Sequence, residues 1–201
     1  MASDPAELLL ETPRLRLREL ADDDFDAVHA YASDPEVVRY MPWGPNTEEE
    51  TRGFLWRAQA TAGGEPRLAY ELAVVVREDD RLIGAVGLHL APEEDRAMLG
   101  YCYDRGSWGH GYATEAAAAM LSLGFDVLLL HRVWAGCDPE NLASARVLEK
   151  VGMRLEGRLR NDVRIRGEYR DTLVYGLLED EWRERDAGQI WSPARLEEAG
   201  T

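Results

Sequence analysis

The stretch Ser107-Trp108-Gly109-His110-Gly111-Tyr112-Ala113-Thr114-Glu115 runs directly into four alanines. An apolar, strand-like segment, Met98–Tyr103, precedes it, and a helical pattern follows. Gly109, Gly111 and Ala113 leave a turn almost without side chains, so its backbone N–H groups can close around an anion. The first N–H groups of a helix lack partners, and the helix dipole places partial positive charge there. The stretch therefore predicts a phosphate or pyrophosphate site between a strand and a helix.

Regular patterns on both sides of this stretch predict an α+β fold. The predicted strands are 14–18, 68–77, 81–90, 97–103, 131–137, 153–163 and 169–178; the predicted helices are 22–32, a short one opening at 33–36, 47–62, 112–125 and 141–151. Turns between residues 68 and 103 indicate an antiparallel meander. The strand–helix–strand crossover implies one parallel pair. We expect a mixed, mostly antiparallel sheet with helices on both faces.

Length and composition fit one domain with a full core. We expect residues 1–9 to be a loose leader, residues 10–182 to be the domain, and residues 183–201 to be a polar tail. No apolar run is long enough to span a bilayer, and the first residues do not resemble a signal peptide. Two cysteines, Cys102 and Cys137, have neither metal-ligand nor disulfide spacing, so we predict a cytoplasmic protein without a metal.

The net charge of −15 argues against a general nucleic-acid binder, which would carry a basic face. It fits a cationic partner such as an amine or a basic peptide, and it also serves solubility.

Two common phosphate-binding motifs do not fit the glycine turn. A dinucleotide fold requires a third glycine and an acidic residue closing the next strand, but here that strand ends in Cys137. The Gly-Lys-Ser/Thr sequence of the nucleoside triphosphate loop is also missing from this turn. The ligand class is therefore set by the surrounding segments.

Four segments in order resemble the GNAT acyltransferases of the RimJ/RimL type. They are Glu11-Thr-Pro-Arg-Leu-Arg-Leu-Arg18, Trp108-Gly-His-Gly-Tyr-Ala-Thr-Glu-Ala116, Asn141-Leu-Ala-Ser-Ala-Arg-Val-Leu-Glu-Lys-Val-Gly-Met153, and Glu156-Gly-Arg-Leu-Arg160 leading to Tyr169-Arg-Asp171. The resemblance covers about residues 10 to 180. It implies a GNAT fold and transfer of an acyl group from acetyl-CoA to an amine by direct attack.

The resemblance also implies where acetyl-CoA binds. The pyrophosphate would lie on backbone amides of the turn, and the pantetheine arm would pair with the preceding strand like an added strand. The next strand of the parallel pair would diverge beyond this point and open a wedge for the thioester. Trp108 stands where the family motif usually has Gln or Arg. The residues assigned to acetyl-CoA are Tyr101, Cys102, Tyr103, Trp108, Gly109, His110, Gly111, Tyr112, Ala113, Thr114 and Asn141.

Asn141 and Ser144 share the first turn of a predicted helix. Both are residue types preferred for capping, which would suffice to explain them. The resemblance implies instead that Asn141 hydrogen-bonds the pantetheine and that Ser144 protonates the departing thiolate. A thiol pKa near ~8.5 makes the thiolate a tolerable leaving group, so the acid need not be strong.

The general base is not fixed by the sequence. Asp162 neighbours Val163, which stands where some relatives have a glutamate, but adjacent strand residues face opposite sides. His89 and Glu115 are rivals, although His89 is expected to face packing or solvent and Glu115 to serve the helix N-terminus. A site without a strong base favours an α-amine, because its pKa is lower than that of lysine.

The acceptor predicted from the resemblance is a protein N-terminus, an amino acid or another small amine. Met41-Pro42-Trp43, with Trp56, are candidates to wall its pocket. The alternatives are a non-catalytic CoA-binding module, a succinyl-CoA-type acyltransferase, and a dinucleotide-dependent oxidoreductase. By family analogy we expect a homodimer.

Overall fold

One eight-stranded sheet forms the centre of the computed structural model, which describes residues 8–184 apart from the Pro92 side chain. The strands are β1 (Leu9–Glu11), β2 (Leu15–Glu19), β3 (Ala69–Val76), β4 (Leu82–Ala91), β5 (Arg96–Tyr103), β6 (Arg132–Cys137), β7 (Arg154–Ile165) and β8 (Glu168–Leu178). Their order in the sheet is β1-β2-β3-β4-β5-β6-β8-β7. The β5–β6 pair is parallel and the other pairs are antiparallel, as the sequence predicts.

Helices cover both faces of this sheet. They are α1 (Phe25–Ala32), α2 (Glu48–Ala62), α3 (Tyr112–Ser122), α4 (Leu142–Lys150) and α5 (Glu179–Arg183). The α3 helix continues into a π-helical turn at Leu123–Val127. Thr47 begins α2 in a capping box: its side chain accepts from the N–H of Glu50, and the Glu50 carboxylate accepts from the N–H of Thr47.

The core divides along the two faces. Leu15 and Leu17 of β2 alternate with arginines and are fully buried against the α3 and α4 side, as period two predicts. A smaller apolar cluster joins α1 and α2 to the other face through Ala73 and Val75 of β3. The sheet is therefore an apolar layer between two helical layers.

The parallel pair opens into a fork. β5 pairs with β6 only where Arg96–Met98 lie opposite Arg132–Trp134. Beyond this point β6 stays paired with β8. The edge of β5 from Leu99 to Tyr103 that faces β6 has no strand beside it within residues 8–184. This confirms the divergence that the sequence resemblance implies.

Two sequence predictions require correction. The short helix at 33–36 is wrong: Asp34 forms a turn, in which its side chain accepts from the N–H of Glu36 and its carbonyl accepts from Val37 and Val38. A capped turn satisfies these amides without a helix. The strand β1 was not predicted, and it includes Leu9 at the end of the expected leader.

Most of the expected leader and tail lie outside the described residues. Leu8 is already buried in the core, and Arg183 closes α5. The division into leader, domain and tail stays a prediction.

Candidate active site

The glycine turn forms a nest of free amides at the start of α3. Gly109 has φ +79° and Gly111, the N-cap of α3, has φ +80°. L-residues rarely adopt this left-handed region, so the turn depends on glycine at both positions. Within residues 8–184, no backbone N–H from Gly109 to Thr114 donates to a protein acceptor. Such amides at a helix N-terminus can bind an anion.

Arg14, the residue before β2, holds this turn in place. Its guanidinium donates to the Glu115 carboxylate, with Nη2 at 2.6 Å, and to the carbonyl of His110 at 2.9 Å. It also lies over the ring of Tyr112, 4.8 Å from the centroid. Thr12 Oγ1 donates to the same carboxylate at 2.6 Å. Glu115 is therefore an anchor for the turn, as expected, and its oxygens are already occupied.

Two side chains of the turn fix its backbone. The indole N–H of Trp108 donates to the carbonyl of Tyr103 at 3.0 Å, which ties the turn to the end of β5. His110 lies with Nδ1 2.9 Å from the carbonyl of Trp108, and its ring stacks on that of Tyr112. Both side chains are thus used within the protein, and the anion-facing groups are backbone amides.

A polar cluster lies where the fork opens towards α4. The hydroxyls of Tyr101 and Ser144 are 2.9 Å apart, and both residues line a small cavity of about 110 Å³. Asn141 lines the same cavity and caps α4: its Oδ1 accepts from the N–H of Ser144 at 3.1 Å. The capping interpretation is confirmed for Oδ1. The Nδ2 group donates to no protein acceptor within residues 8–184 and is available to a ligand.

Protonation states differ between the candidate acids. Burial raises the pKa of Tyr101 well above its usual range, so this phenol holds its proton and acts as a hydrogen-bond donor. Burial also raises the pKa of Cys102 to about 12. Its thiol packs in the apolar cluster on the α1 and α2 face, and its high pKa leaves little thiolate to act as a nucleophile.

Tyr103 differs from Tyr101 in its surroundings. Its ring is buried in the core on the α3 side, and its hydroxyl has no partner within the part of the chain that is described. Cys102 and Tyr103 are therefore available to a ligand through their backbone only.

A larger cavity of about 830 Å³ lies on the opposite face, between the sheet and the α1–α2 layer. It meets the small cavity at the fork, since Gly100 and Tyr101 line both. Its charged lining comes from several elements. The acidic members are Glu50, Glu71, Asp138, Asp162 and Asp171, and the basic members are Arg57, His89 and Arg170.

Some of these charges are neutralised in pairs. Asp138 is buried and accepts from Arg170 at 2.9 and 3.1 Å. Asp171 pairs with Arg158 at 2.6 Å, and the hydrogen bond from the N–H of Asn161, together with this pair, lowers the pKa of Asp171. Asp162 has no ion pair or hydrogen bond within residues 8–184. The cavity therefore offers unneutralised carboxylate to a cation.

His89 and Glu71 form a hydrogen-bonded pair inside this cavity, which sequence reasoning missed. Nε2 of His89 lies 2.7 Å from Oε1 of Glu71. The contact with Glu71 raises the pKa of His89 against the opposing effect of burial. His89 is exposed, in line with the expectation that it faces packing or solvent, and the β3–β4 pairing places both side chains on the cavity face.

Asp162 and Val163 both line the cavity, despite being neighbours on one strand. The register of β7 with β8 shifts between Leu159 and Val163, so three residues of β7 bulge opposite Asp171. Asn161 in the bulge has φ +52°. A bulge re-aims side chains and removes the strict alternation on which the sequence argument depends.

The expected wall residues are confirmed only in part. Met41, Pro42 and Trp43 line the large cavity, but Trp56 does not and is 70% exposed on α2. Arg14 and Glu71 were missed because each acts across a large sequence separation. For Glu71, the sequence did offer one signal: period-two alternation puts Glu71 on the same face of the sheet as Ala73.

Within residues 8–184, no group of three or more His, Cys, Asp or Glu side chains is arranged to hold a metal ion. None of the helices there has the length and apolar character needed to cross a membrane.

Sequence comparison gives the family of the chain. Residues 14–154 match the model of the acetyltransferase (GNAT) domain. An uncharacterized N-acetyltransferase of Bacillus subtilis, YnaD, is 36% identical over 173 residues, covering 86% of this chain and 98% of that protein. The spermidine N(1)-acetyltransferase of Escherichia coli is 28% identical over 169 residues, covering 84% and 88%.

Solved structures share the fold. A GNAT-family acetyltransferase from Bacillus anthracis has a TM-score of 0.78 at 34% identity and covers 87% of this chain and 100% of its own. The spermidine N-acetyltransferase of Vibrio cholerae in complex with CoA and spermine scores 0.74 at 21% identity, covering 86% and 99%. RimL, a ribosomal L7/L12 alpha-N-protein acetyltransferase, scores 0.76 at 19%, covering 86% and 94%. The last two show the fold alone.

Proposed function

The chain belongs to the GNAT acetyltransferase family, and from this premise we propose that it acetylates the primary amine of a cationic acceptor as a RimJ/RimL-type enzyme. It is an N-acetyltransferase, and acetyl-CoA is the cosubstrate of the family. The single observation that supports a cationic acceptor is the acid-rich cavity behind the fork. The Trp108-Gly-His-Gly-Tyr-Ala motif supports the RimJ/RimL assignment.

The donor site is assigned to the turn and the fork. The free amides from Gly109 to Thr114 fit the CoA pyrophosphate, because amide donors at a helix N-terminus complement negative charge. The exposed edge of β5 at Tyr101–Tyr103 provides backbone groups for the pantetheine amides. Asn141 would donate through Nδ2 to a pantetheine carbonyl. Trp108 and His110 act by holding the turn.

The fork brings the donor to the acceptor cavity. Gly100 and Tyr101 line both cavities, so a thioester lying between the strands would face an amine on the other side of the sheet. The amine nitrogen attacks the thioester carbonyl carbon, and the C–S bond breaks with its electron pair on sulfur. The buried thiol of Cys102 takes no part, because burial raises its pKa to about 12.

The thiolate would be stabilised at the Tyr101–Ser144 pair. These hydroxyls lie 2.9 Å apart at the mouth of the fork, and hydrogen bonds to a developing anion are stronger than those between neutral groups. The raised pKa of Tyr101 favours hydrogen bonding over full proton transfer. The thiolate then takes its proton from water.

The acceptor is proposed to be a cationic amine, such as a polyamine or a basic N-terminus. Asp162 has no partner within the described part of the chain, and Trp43 and Met41 supply an apolar wall beside it. An ammonium group is stabilised by both kinds of surface. Relatives named for spermidine and for a ribosomal protein N-terminus span the same two classes.

The test is thiol release from acetyl-CoA with a panel of acceptors at matched concentration. The panel contains a polyamine, a monoamine, a basic N-terminal peptide, an acidic N-terminal peptide and a free amino acid. We expect the highest kcat/KM for the polycationic acceptors. Tight CoA binding with no turnover for any acceptor would support the non-catalytic module instead.

Two further measurements complete the assignment. Succinyl-CoA in place of acetyl-CoA tests the acyl group, and faster turnover with succinyl-CoA would favour the longer-acyl alternative. We further expect a cytoplasmic homodimer, which sedimentation of the purified chain and localisation in cells would test.

A further inference from the structure

We propose that Glu71 and His89 are the proton-accepting pair of this enzyme, in which His89 deprotonates the acceptor ammonium and Glu71 orients His89. This inference rests on the proposed function and names a base for it. Glu115 cannot serve, because Arg14 and Thr12 occupy its carboxylate on the other side of the sheet. Asp162 stays an acceptor-binding group in this scheme.

The register of the sheet places His89 beside the reaction centre. His89 on β4 is the partner of Met98 on β5, and Met98 is the last β5 residue paired with β6 before the fork opens. Both side chains line the large cavity, together with Trp134 of β6. The imidazole is therefore one strand away from the point where a thioester between β5 and β6 would meet an amine.

The neighbouring strand makes room for the carboxylate. Glu71 on β3 is the partner of Gly87 on β4, and a Cβ at Gly87 would lie 2.5 Å from Oε1 of Glu71. The glycine thus leaves space for Glu71 to reach His89. The Glu71 side chain is only 17% exposed, whereas His89 is 45% exposed. Glu71 is therefore largely buried in the protein, whereas His89 is open to the cavity.

The contact also fixes which imidazole nitrogen can accept a proton. Nε2 lies 2.7 Å from a carboxylate oxygen, so it carries the proton of that contact. Nδ1 has no partner within residues 8–184 and bears the free electron pair in neutral His89. When Nδ1 takes a proton, the resulting imidazolium is stabilised by Glu71.

Other charged groups line the same cavity as this pair. Glu50 and Arg57 face it from α2, and Asp162 from β7. From β8, Arg170 is tied to Asp138 and Asp171 is tied to Arg158, so these contribute little net charge. Glu71 is the group that raises the pKa of His89.

The proposed step balances as follows. The acceptor ammonium gives one proton to Nδ1 of His89, and the freed electron pair forms the N–C bond while the π pair of the thioester carbonyl moves to oxygen. The adduct then collapses: the pair on oxygen re-forms C=O, and the C–S bond breaks with its pair on sulfur. The nitrogen gives its second proton to water, and the thiolate takes one proton from water. His89 returns its proton to water, so one acetyl-CoA and one ammonium give one amide, one CoA thiol and one released proton.

The first test compares His89→Gln with the wild-type enzyme on an acceptor that the wild type turns over. We expect kcat at neutral pH to fall about 100-fold, because general base catalysis contributes on the order of 10²–10⁴-fold. The KM for acetyl-CoA should be unchanged. His131→Gln is the matched control, since His131 is exposed outside both cavities and should leave kcat unchanged.

The second test separates a base from a structural residue. The defect of His89→Gln should shrink at high pH and with acceptors of low amine pKa, because such amines lose their proton unaided. Glu71→Gln removes the group that raises the His89 pKa, so the acidic limb of its pH profile should move to lower pH while kcat falls about 10-fold.

The outcomes distinguish this inference from the proposed function. A wild-type protein inactive on every acceptor would refute the proposed function itself. An active wild type whose His89→Gln variant keeps its kcat, or loses it equally at all pH values and with all amines, would refute only the Glu71–His89 pair.

Discussion

The turn proposed to bind the donor and the cavity proposed to bind the acceptor are built from different chemical groups. At Gly109–Thr114, consecutive backbone amides of one short segment face outward, and side chains such as Trp108 and Arg14 hold them in place. In the acceptor cavity, the functional groups are side chains from α2, β3, β4, β7 and β8. The donor site is local in sequence and the acceptor site is not.

This difference explains why the sequence predicts the acyl donor but not the acceptor. A backbone anion site requires small residues and positive φ at fixed spacing, so it leaves a contiguous motif. A cavity of side chains requires only that distant positions meet, as Glu71 and His89 do across a strand pair. Variants on each side test whether the two regions are separable in function.

The largest effect is expected for Gly111→Glu in the donor turn. A side chain at φ +80° strains the turn, and the added carboxylate opposes the pyrophosphate. Loss of two amide–phosphate bonds at roughly 1.5 kcal/mol each weakens CoA binding about 100-fold. Calorimetric titration with CoA measures this. Gly63→Glu is the control: it adds the same charge at a position where an added Cβ would meet no atom within 4 Å, and it should bind CoA normally. Equal CoA affinity of the two variants would contradict the assignment of the turn.

Arg14→Gln should weaken acetyl-CoA binding about 10-fold without changing kcat. The substitution frees the Glu115 carboxylate beside the phosphate site and unties the carbonyl of His110. Steady-state kinetics with varied acetyl-CoA report the change in KM. Arg16→Gln, in β2 two residues after Arg14, removes only exposed ion pairs and serves as control. A kcat loss in the Arg14 variant would show that the two regions are coupled.

Ser144→Ala should lower kcat about 5-fold, because a hydrogen bond to the leaving thiolate is worth about 1 kcal/mol. Tyr101→Phe removes the partner hydroxyl at 2.9 Å and should have a similar effect, with the double variant less than additive. Pre-steady-state and steady-state rates across pH measure this. An unaltered kcat in Ser144→Ala at every pH would remove its proposed role.

The smallest effect is expected on the acceptor side. Asp162→Asn should raise the KM for a polycationic acceptor about 3-fold, since an exposed carboxylate contributes under ~1 kcal/mol to binding a cation. The KM for acetyl-CoA should stay the same. Asp79→Asn, in the β3–β4 turn, tests for a general charge effect. An equal change in both variants would mean that the whole protein field, rather than the cavity, attracts the acceptor.

Particular elements show how far the sequence argument reaches. The alternation around Leu15 and Leu17 and the turn residues up to Tyr103 predicted strands that are confirmed. The helix at Ser33 was wrong because a side-chain turn at Asp34 satisfies the same amides. The bulge near Asn161 could not be predicted, because the alternation of apolar and polar residues does not indicate where the strand register shifts.

The site divides in the same way. Gly109, Gly111 and Ala113 predicted the turn of free amides at the start of α3, and Asn141 and Ser144 were correctly placed at the start of one helix. His89 was proposed without its partner, and Trp56 was assigned to a cavity that it does not line.

The sequence by itself determined the mixed sheet, the single parallel crossover and the glycine turn at the start of α3, because each depends on local periodicity, turn chemistry or backbone freedom. Only the tertiary structure decided that Arg14 braces the turn and that Glu71 meets His89 beside the fork. It also decided that Asp162 and Val163 line one cavity together. These arrangements depend on strand register and on contacts between distant segments, which no local pattern of residues encodes.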